Sequence, residues 1–438
     1  MTDLRRLSRL LRTILALVLA ALTLLLLLGG ISAASPTDLP QTIAHNQIIA
    51  TIISQVTTPT LEYELAGLTG ERPVTVAGSL YTITTRYTYH TEAISMATRY
   101  VYEQLAATGL NVTYHHYEYS GYQLRNVAAE KPGVVDSDEI YLITAHVDDL
   151  PGGPIAPGAD DNGSGSVAVL EAARLLAHHR FAHTIRFVLF TGEEQGLRGS
   201  DAYAAACTDA GDDIRGVVNL GMIAYNSDAA PVIDLYARTG MPDSLELTRI
   251  FSSVVDVYGL DLVPDRFDYP SGFPIQNSDQ WSFLTRDYPA FLAIEDLDNF
   301  TPHYHTTGDR LSTLDLDYYA DFTRAAVATI AHLGRLLPGG HLSGTVTDLD
   351  TSQPLSGATV AALTPAYQYT FTTLTDGGGA YSLPLPASAY TFTAWAASPG
   401  YYPATVTDVV IITDTITPQD FALEHWPCWY PPLIVHEY

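Results

Sequence analysis

Ile140-Tyr141-Leu142-Ile143-Thr144-Ala145 is apolar at nearly every position and runs directly into His146-Val147-Asp148. A short apolar run without alternation predicts a strand covered on both faces, as in a parallel sheet held between helices. Three further runs share that texture: Thr184–Phe190, Val217–Leu220 and Ala290–Ile294. Between and around them, apolar residues at helical spacing predict helices over Glu92–Thr108, Ser166–His178 and Leu314–Leu337. The alternation gives the fold class for residues 35–338: α/β, a mixed, mostly parallel sheet flanked by helices.

After Pro338-Gly339-Gly340 the texture changes to Thr-rich, short alternating segments: Ser343–Thr347, Ala358–Leu363, Tyr381–Leu385, Tyr390–Ala396 and Val409–Thr413. Turn residues separate them, which predicts a C-terminal all-β sandwich over residues 341–424. Residues 425–438 form an aromatic, Pro-rich tail with no assignment. At the other end, Arg5, Arg6, Arg9 and Arg12 precede the apolar run Thr13–Leu28 and the small residues Ser32-Ala33-Ala34. That order predicts a cleaved signal peptide over residues 1–34 and a secreted protein; an uncleaved N-terminal anchor is the second reading.

A net charge of −27, from 21 Lys plus Arg against 48 Asp plus Glu, repels phosphate backbones and excludes nucleic acid as a partner. Two cysteines, Cys207 and Cys428, cannot build a disulfide framework or a thiolate zinc finger, and their pairing stays open.

In an open α/β sheet, ligands collect beyond the carboxyl ends of the strands. The residues just past each predicted strand are therefore informative. The first strand leads into His146-Val147-Asp148 and the second into Gly192-Glu193-Glu194-Gln195-Gly196. The third runs into Gly221-Met222, and the fourth into Glu295 and then His303-Tyr304-His305. Gly158-Ala159-Asp160-Asp161-Asn162-Gly163-Ser164-Gly165 lies between the first two, just before a helix. Each piece has an ordinary reading: a surface histidine, a solvated Glu-Glu turn, a flexible turn with Ser164 as helix cap. In series along one sheet edge, histidines and carboxylates are what a metal-dependent hydrolase requires. His179 and His183, four apart, lack the glutamate of an H-E-x-x-H helix and read as structural. No Gly-x-Ser-x-Gly elbow is present, which leaves a serine hydrolase without support.

These segments resemble the co-catalytic zinc exopeptidases, the family that includes bacterial leucyl aminopeptidases, glutamate carboxypeptidase and glutaminyl cyclases. The matching pieces are Ala145–Asp148, Gly158–Gly165, Thr191–Gly196, and Tyr304-His305-Thr306 with Asp309. The sandwich resembles a carboxypeptidase-regulatory-like domain, through Ser343–Val346, Thr375–Gly377 and Ala380-Tyr381. The resemblance implies zinc as cofactor, peptides as substrates and a metallo-exopeptidase of the aminopeptidase type. It implies His146, Asp161, Glu194 and His305 as metal ligands, with Asp161 shared between two ions. Glu193 would be the general base, and Asp148 would hold the second ring nitrogen of His146. Contact with a cell surface or carbohydrate is the expectation attached to the β-sandwich.

One position departs from the family. Where an aspartate normally succeeds the third strand, the chain reads Asn219-Leu220-Gly221-Met222, and Gly221 has no ligating atom. The resemblance then leaves the ion at His146 two ligands, His146 and Asp161, so one zinc is firmly held and a second weakened. Three outcomes are open: a one-zinc enzyme, as glutaminyl cyclases are; rescue by a nearby carboxylate such as Asp228; or a catalytically impaired binding protein. The alternatives to an aminopeptidase are thus a mono-zinc, glutaminyl cyclase-like acyltransferase and a binding module.

Overall fold

The computed structural model describes residues 39–40, 42–228, 230–337, 339–363, 370–385, 392–412 and 415–426. The signal peptide expected over residues 1–34, most of the tail and Cys428 lie outside these described residues. Among the described residues no helix is long and apolar enough to cross a membrane.

The chain opens with α1 (Gln47–Ile53) and α2 (Thr58–Leu68), a small hairpin of β1 (Val74–Val76) and β2 (Ser79–Tyr81), then α3 (Thr91–Ala107). Next come β3 (Asn111–Tyr119), β4 (Tyr122–Lys131), β5 (Asp136–His146), α4 (Gly165–Leu176), β6 (His183–Phe190), α5 (Arg198–Ala210) and β7 (Asp213–Leu220). β8 (Val232–Arg238), α6 (Pro242–Tyr258), β9 (Val263–Tyr269), α7 (Gln280–Leu284), β10 (Ala290–Glu295) and α8 (Leu316–Leu333) complete the α/β part.

Local chemistry sets several helix starts. Asn46 caps α1 by accepting the N–H groups of Ile48 and Ile49, and Asp315 caps α8 by accepting those of Asp317 and Tyr318. Ser164, in contrast, makes no cap bond to α4; its hydroxyl donates to Asp160 O at 2.8 Å. The expectation of a serine cap is therefore corrected.

The strands form one eight-stranded sheet in the order β3-β4-β6-β5-β7-β10-β8-β9. β6, β5, β7 and β10 are mutually parallel neighbours, so their carboxyl ends share one edge. The sheet is mixed because β3, β4 and β8 run against their partners. The chain passes from β5 to β6 on one side and later to β7 on the other. This makes the end of β5 a switch point, where a crevice opens. Helices cover both faces of the central strands, which explains their continuous apolar sequence. Leu142, Ile143, Phe187, Leu189, Val217, Val218 and Phe291 are all inaccessible to solvent.

The C-terminal part consists of β11 (Gly340–Asp348), β12 (Thr359–Leu363), β13 (Thr370–Leu374), β14 (Ala380–Leu385), β15 (Phe392–Ala397), β16 (Ala404–Val409), β17 (Ile416–Pro418) and β18 (Phe421–Leu423). One sheet has the order β14-β11-β17 with β18 also on β11; the other has the order β13-β12-β15-β16. Leu342, Val346, Val360, Leu383, Phe421 and Leu423 fill the core between them. The strand expected at Val409–Thr413 is corrected to Ala404–Val409, antiparallel to β15.

Candidate metal and catalytic site

His146 closes β5 and is almost fully buried, at 5% exposure. Its placement depends on a residue far upstream. Arg86, fully buried, donates to Val147 O (2.7 Å), Leu68 O (3.2 Å), Pro157 O (2.5 Å) and Gly158 O (2.8 Å). One guanidinium thus ties both ends of the 147–158 loop to α2, using its fixed fork of donors.

The segment after Gly158 is irregular, with non-helical backbone at Asp161 and Asn162. Asp309 holds it from across the site: its two carboxylate oxygens accept the backbone N–H groups of Asp160 and Asp161, each at 2.9 Å. Asn162 Nδ2 donates to Leu220 O at 2.9 Å, which fastens the same turn to the end of β7. A side chain at Gly165 would collide with Asn162 Oδ1 and stand 2.9 Å from Gly221 O, so the close approach demands glycine there.

After β6, Gly192 adopts a left-handed φ of 72° and turns the chain into Glu193-Glu194. Asp148 organises this turn. Its carboxylate accepts the N–H groups of Glu193 (3.3 Å) and Glu194 (3.4 Å) and the hydroxyl of Thr88 (2.8 Å). His146 Nδ1 lies 3.2 Å from Asp148 O and 3.7 Å from its carboxylate. The backbone carbonyl is therefore the nearer partner of that ring nitrogen, and the carboxylate serves chiefly as a node for the glutamate turn.

The two adjacent glutamates diverge. Glu194 Oε2 reaches His305 Nε2 at 3.0 Å, whereas Glu193 Oε2 approaches His146 Nε2 at 4.0 Å. Asp161 stands between the imidazoles, 3.5 Å from His146 Nε2 through Oδ1 and 3.3 Å from His305 Nε2 through Oδ2. Tyr304 stacks on His305 with ring centroids 3.6 Å apart, and His305 takes a left-handed φ of 55°.

Asp161, Glu194 and His305 offer one ligand atom each within 4.8 Å of one another; so do His146, Glu193 and Glu194. Asp161 Oδ2, Glu194 Oε1 and His305 Nε2 are buried without a hydrogen-bond partner among the described residues. Converging acceptor atoms that satisfy no donor are what a divalent cation fits, and the nitrogen–oxygen donor set suits zinc. The electrostatics agree. Burial pushes the Glu193 carboxyl well above its ordinary range, and pushes Glu194 up to about 7. Burial alone would lower His305, but the closely placed carboxylates of Asp161 and Glu194 raise it to about 10. The cluster draws positive charge to itself.

The six residues singled out in the sequence thus meet at one edge of the sheet. Other candidates do not. His179 is buried edge-on to Phe371 and His183 lies 3.3 Å from Glu139, so both are structural. Asp228 is exposed and accepts the N–H of Ala230, outside the site. Glu295 is buried and accepts the N–H of Thr301. Arg86 and Thr88 were not recognisable in the sequence: a lone Arg or Thr in a stretch of irregular chain has no periodic or spacing signal.

Beside the cluster opens a cleft of about 410 Å³. Glu193, Glu194 and Tyr304 line it together with Gly221, Met222, Phe273, Leu292, Ile294 and Phe300. Carboxylates and imidazoles at the switch point of a parallel sheet, facing an apolar cleft, define a hydrolase-type centre on an α/β scaffold. Residues 126–330 match peptidase family M28, and residues 341–424 match the carboxypeptidase regulatory-like domain. The α/β part of the chain is thus similar to that peptidase family over 205 residues, from 126 to 330.

Leucine aminopeptidase 1 of Trichophyton rubrum is 30% identical over 227 residues, 48% of this chain and 58% of that protein. The chain therefore spans little more than half of that relative's length. Leucine aminopeptidase 1 of Arthroderma gypseum is 26% identical over 327 residues, covering 69% of this chain and 80% of its own. Among solved structures, the LapA aminopeptidase of Legionella pneumophila shares the fold with a TM-score of 0.55 at 20% identity, over 69% of this chain and 78% of its own. Glutaminyl cyclase of Bacteroides thetaiotaomicron does so with a TM-score of 0.50 at 18% identity, over 63% and 98%.

Proposed function

We propose that the protein is an exported, zinc-dependent aminopeptidase that removes N-terminal residues with bulky apolar side chains from peptides. The carrying observation is the set Asp161, Glu194 and His305, whose unpartnered ligand atoms converge within 4.8 Å beside an apolar cleft. Zinc held by these three would polarise the scissile carbonyl and bring the pKa of water towards ~7.

The chain's own residues do the rest. Glu193, raised in pKa by burial and directed away from the Glu194–His305 pair, takes a proton from the attacking water and returns it to the leaving amine. Asp148 fixes the turn that carries Glu193 by accepting its backbone N–H. Met222, Phe273, Leu292, Ile294 and Phe300 exclude water from the cleft and receive the substrate side chain. The surrounding carboxylates favour a substrate that brings an α-ammonium group.

Gly221 favours a second reading, cyclisation of N-terminal glutamine by the same one-metal set. The deciding assay incubates purified protein with aminoacyl anilides and with Gln-initiated peptides, with and without chelator. Chelator-sensitive release of the anilide is expected. Glu193→Gln should lower that rate by about 10²–10⁴-fold with metal content unchanged. Cyclisation without release would replace the peptidase reading, and chelator-resistant turnover would remove the metal from it. Export is supported by the basic and apolar segments of residues 5–28 and is tested by the N-terminal sequence of secreted protein. Exposed Tyr402 and Trp426 suit the β-sandwich to a cell surface or carbohydrate, tested by binding after truncation at Leu342.

A further inference from the structure

The turn that carries Glu193 and Glu194 continues through Gly196 and Leu197, both lining the cleft, into Arg198, the first residue of α5. An arginine is out of place there, because the amino end of a helix carries partial positive charge and favours anions. Its side chain is nonetheless held. Arg198 Nε donates to Gln195 O at 3.0 Å, and the guanidinium carbon lies 4.4 Å from the centroid of the Tyr119 ring. The guanidinium also lies against Gly196 in the wall of the cleft: a Cβ at 196 would stand 3.5 Å from Nη2 and 3.8 Å from Nε. Tyr119 belongs to an aromatic shelf tied to the same turn. Its hairpin neighbour Tyr122 packs on Tyr89 with ring centroids 4.7 Å apart, and Tyr89 follows Thr88, whose hydroxyl accepts the N–H of Gly192 at 3.2 Å.

Arg198 is exposed, and its two terminal nitrogens make no hydrogen bond or ion pair among the described residues. Other arginines of this acidic chain are answered by carboxylates: Arg186 by Asp212, Arg215 by Asp213 and Arg286 by Asp201. Among the described residues that line the cleft itself there is no Lys or Arg. A guanidinium ordered on an aromatic face, with donors unspent, is a receptor for a carboxylate. Sheet topology says which part of a peptide meets it. β6, which leads into this turn, is separated from β10 by β5 and β7, about 14 Å at the usual strand spacing. Leu292 and Ile294 of β10 cluster with Met222 and Phe300 as the apolar end of the cleft. Arg198 leans the other way, onto the β3–β4 hairpin beyond β6. With the N-terminal side chain among the apolar residues, the remainder of the peptide runs towards Arg198. We propose that Arg198 receives a carboxylate borne by the residue that follows the cleaved bond, either its side chain or, in a dipeptide, its free C-terminus. At a net charge of −27 the general field of the protein opposes such a substrate, so a preference for it must come from a local cation.

The proposal rests on the aminopeptidase reading, and the assay keeps the two apart. Zinc-loaded full-length protein is given Leu-Ala as free acid and as amide, and Leu-Glu-Ala-amide against Leu-Gln-Ala-amide, with leucine anilide as the reference. Wild type is expected to favour each carboxylate over its uncharged counterpart by about 3–10-fold in kcat/KM, mostly through KM, and less so in high salt. Arg198→Gln should bring the rates within each pair to within about twofold, and Arg198→Lys should restore part of the difference. A preference in the acid–amide pair alone supports the proposal with the free C-terminus as the group bound, and one in the Glu–Gln pair alone supports it with the side chain. Equal rates within both pairs in wild type, or a preference undiminished in Arg198→Gln, overturn it; cleavage of leucine anilide then leaves the aminopeptidase reading intact. No cleavage of any substrate overturns both.

Discussion

Asp309 Oδ2 accepts the backbone N–H of Asp161 at 2.9 Å across 148 positions of sequence, while its other oxygen takes the N–H of Asp160. The bridging carboxylate is thus aimed through its main chain, and its own oxygens stay free to meet the imidazoles.

Asp309→Asn should therefore loosen the metal without removing a ligand. An amide keeps one acceptor and turns an NH₂ towards the other N–H, so Asp161 is no longer held from both sides. Zinc affinity should fall about 10–100-fold and stability by about 1–3 kcal/mol. Calorimetry with a thermal melt reads both, and unchanged affinity would refute the positioning role.

Gly221→Asp should strengthen the ion at His146. The new Cβ presses on the tips of Ile294 and Leu292, flexible ends that can swing aside, so the cost is about 1–2 kcal/mol of stability. Metal per chain or affinity should rise. A lowered melting temperature with no gain in metal would mean that the vacancy lies elsewhere.

Metal uptake should expel protons. Glu194 is pushed up to about 7 and His305 to about 10, and both must be deprotonated to ligate. Between pH 7 and 10 the proton on His305 competes with the ion, so affinity should rise about tenfold per pH unit there. Calorimetry in buffers of different ionisation enthalpy counts the protons, and a count of zero at pH 7 would contradict the coupling. The metal-free fold obeys the same sign. Both groups bind protons more tightly folded than unfolded, so its stability declines as pH rises through 4.5–7 for Glu194 and 6.5–10 for His305.

His179 gives the opposite dependence away from the site. Burial, with His178 and Lys131 adding to it, lowers its pKa to about 3. The folded state binds the proton more weakly than the unfolded one, so this contribution is complete above pH 6.5 and lost as pH falls towards 3. The loss is of order 3–5 kcal/mol. His179→Gln should flatten the acid limb of a melting-temperature profile; an unaltered limb would show that the loss arises elsewhere.

The strands that carry the site were legible because burial on both faces leaves an uninterrupted apolar run ending in polar residues, as at Ala145-His146. The four-part series of His146, Asp161, Glu193-Glu194 and His305 was legible for the same reason. Arg86 was not, since its bonds go to carbonyls of residues 68, 147, 157 and 158, and nothing in its neighbourhood announces them. The β-sandwich was read less accurately. β16 is solvent-facing at alternate positions, and the more apolar Val409–Ile412 drew the expected strand five residues too far along.

Asp148 joins the strand end at His146, the Thr88 segment and the glutamate turn into a single rigid block. Phe273 and Phe300, which line the cleft, sit on connecting chain between elements, and Leu297 opens a short 3-10 turn, Leu297–Asn299. On the aminopeptidase reading, hydrolysis and the choice of substrate side chain would rest on different segments of the chain. Exchanging Phe273 or Phe300 for smaller or charged residues should redirect which N-termini are trimmed while the hydrolytic step proceeds as before.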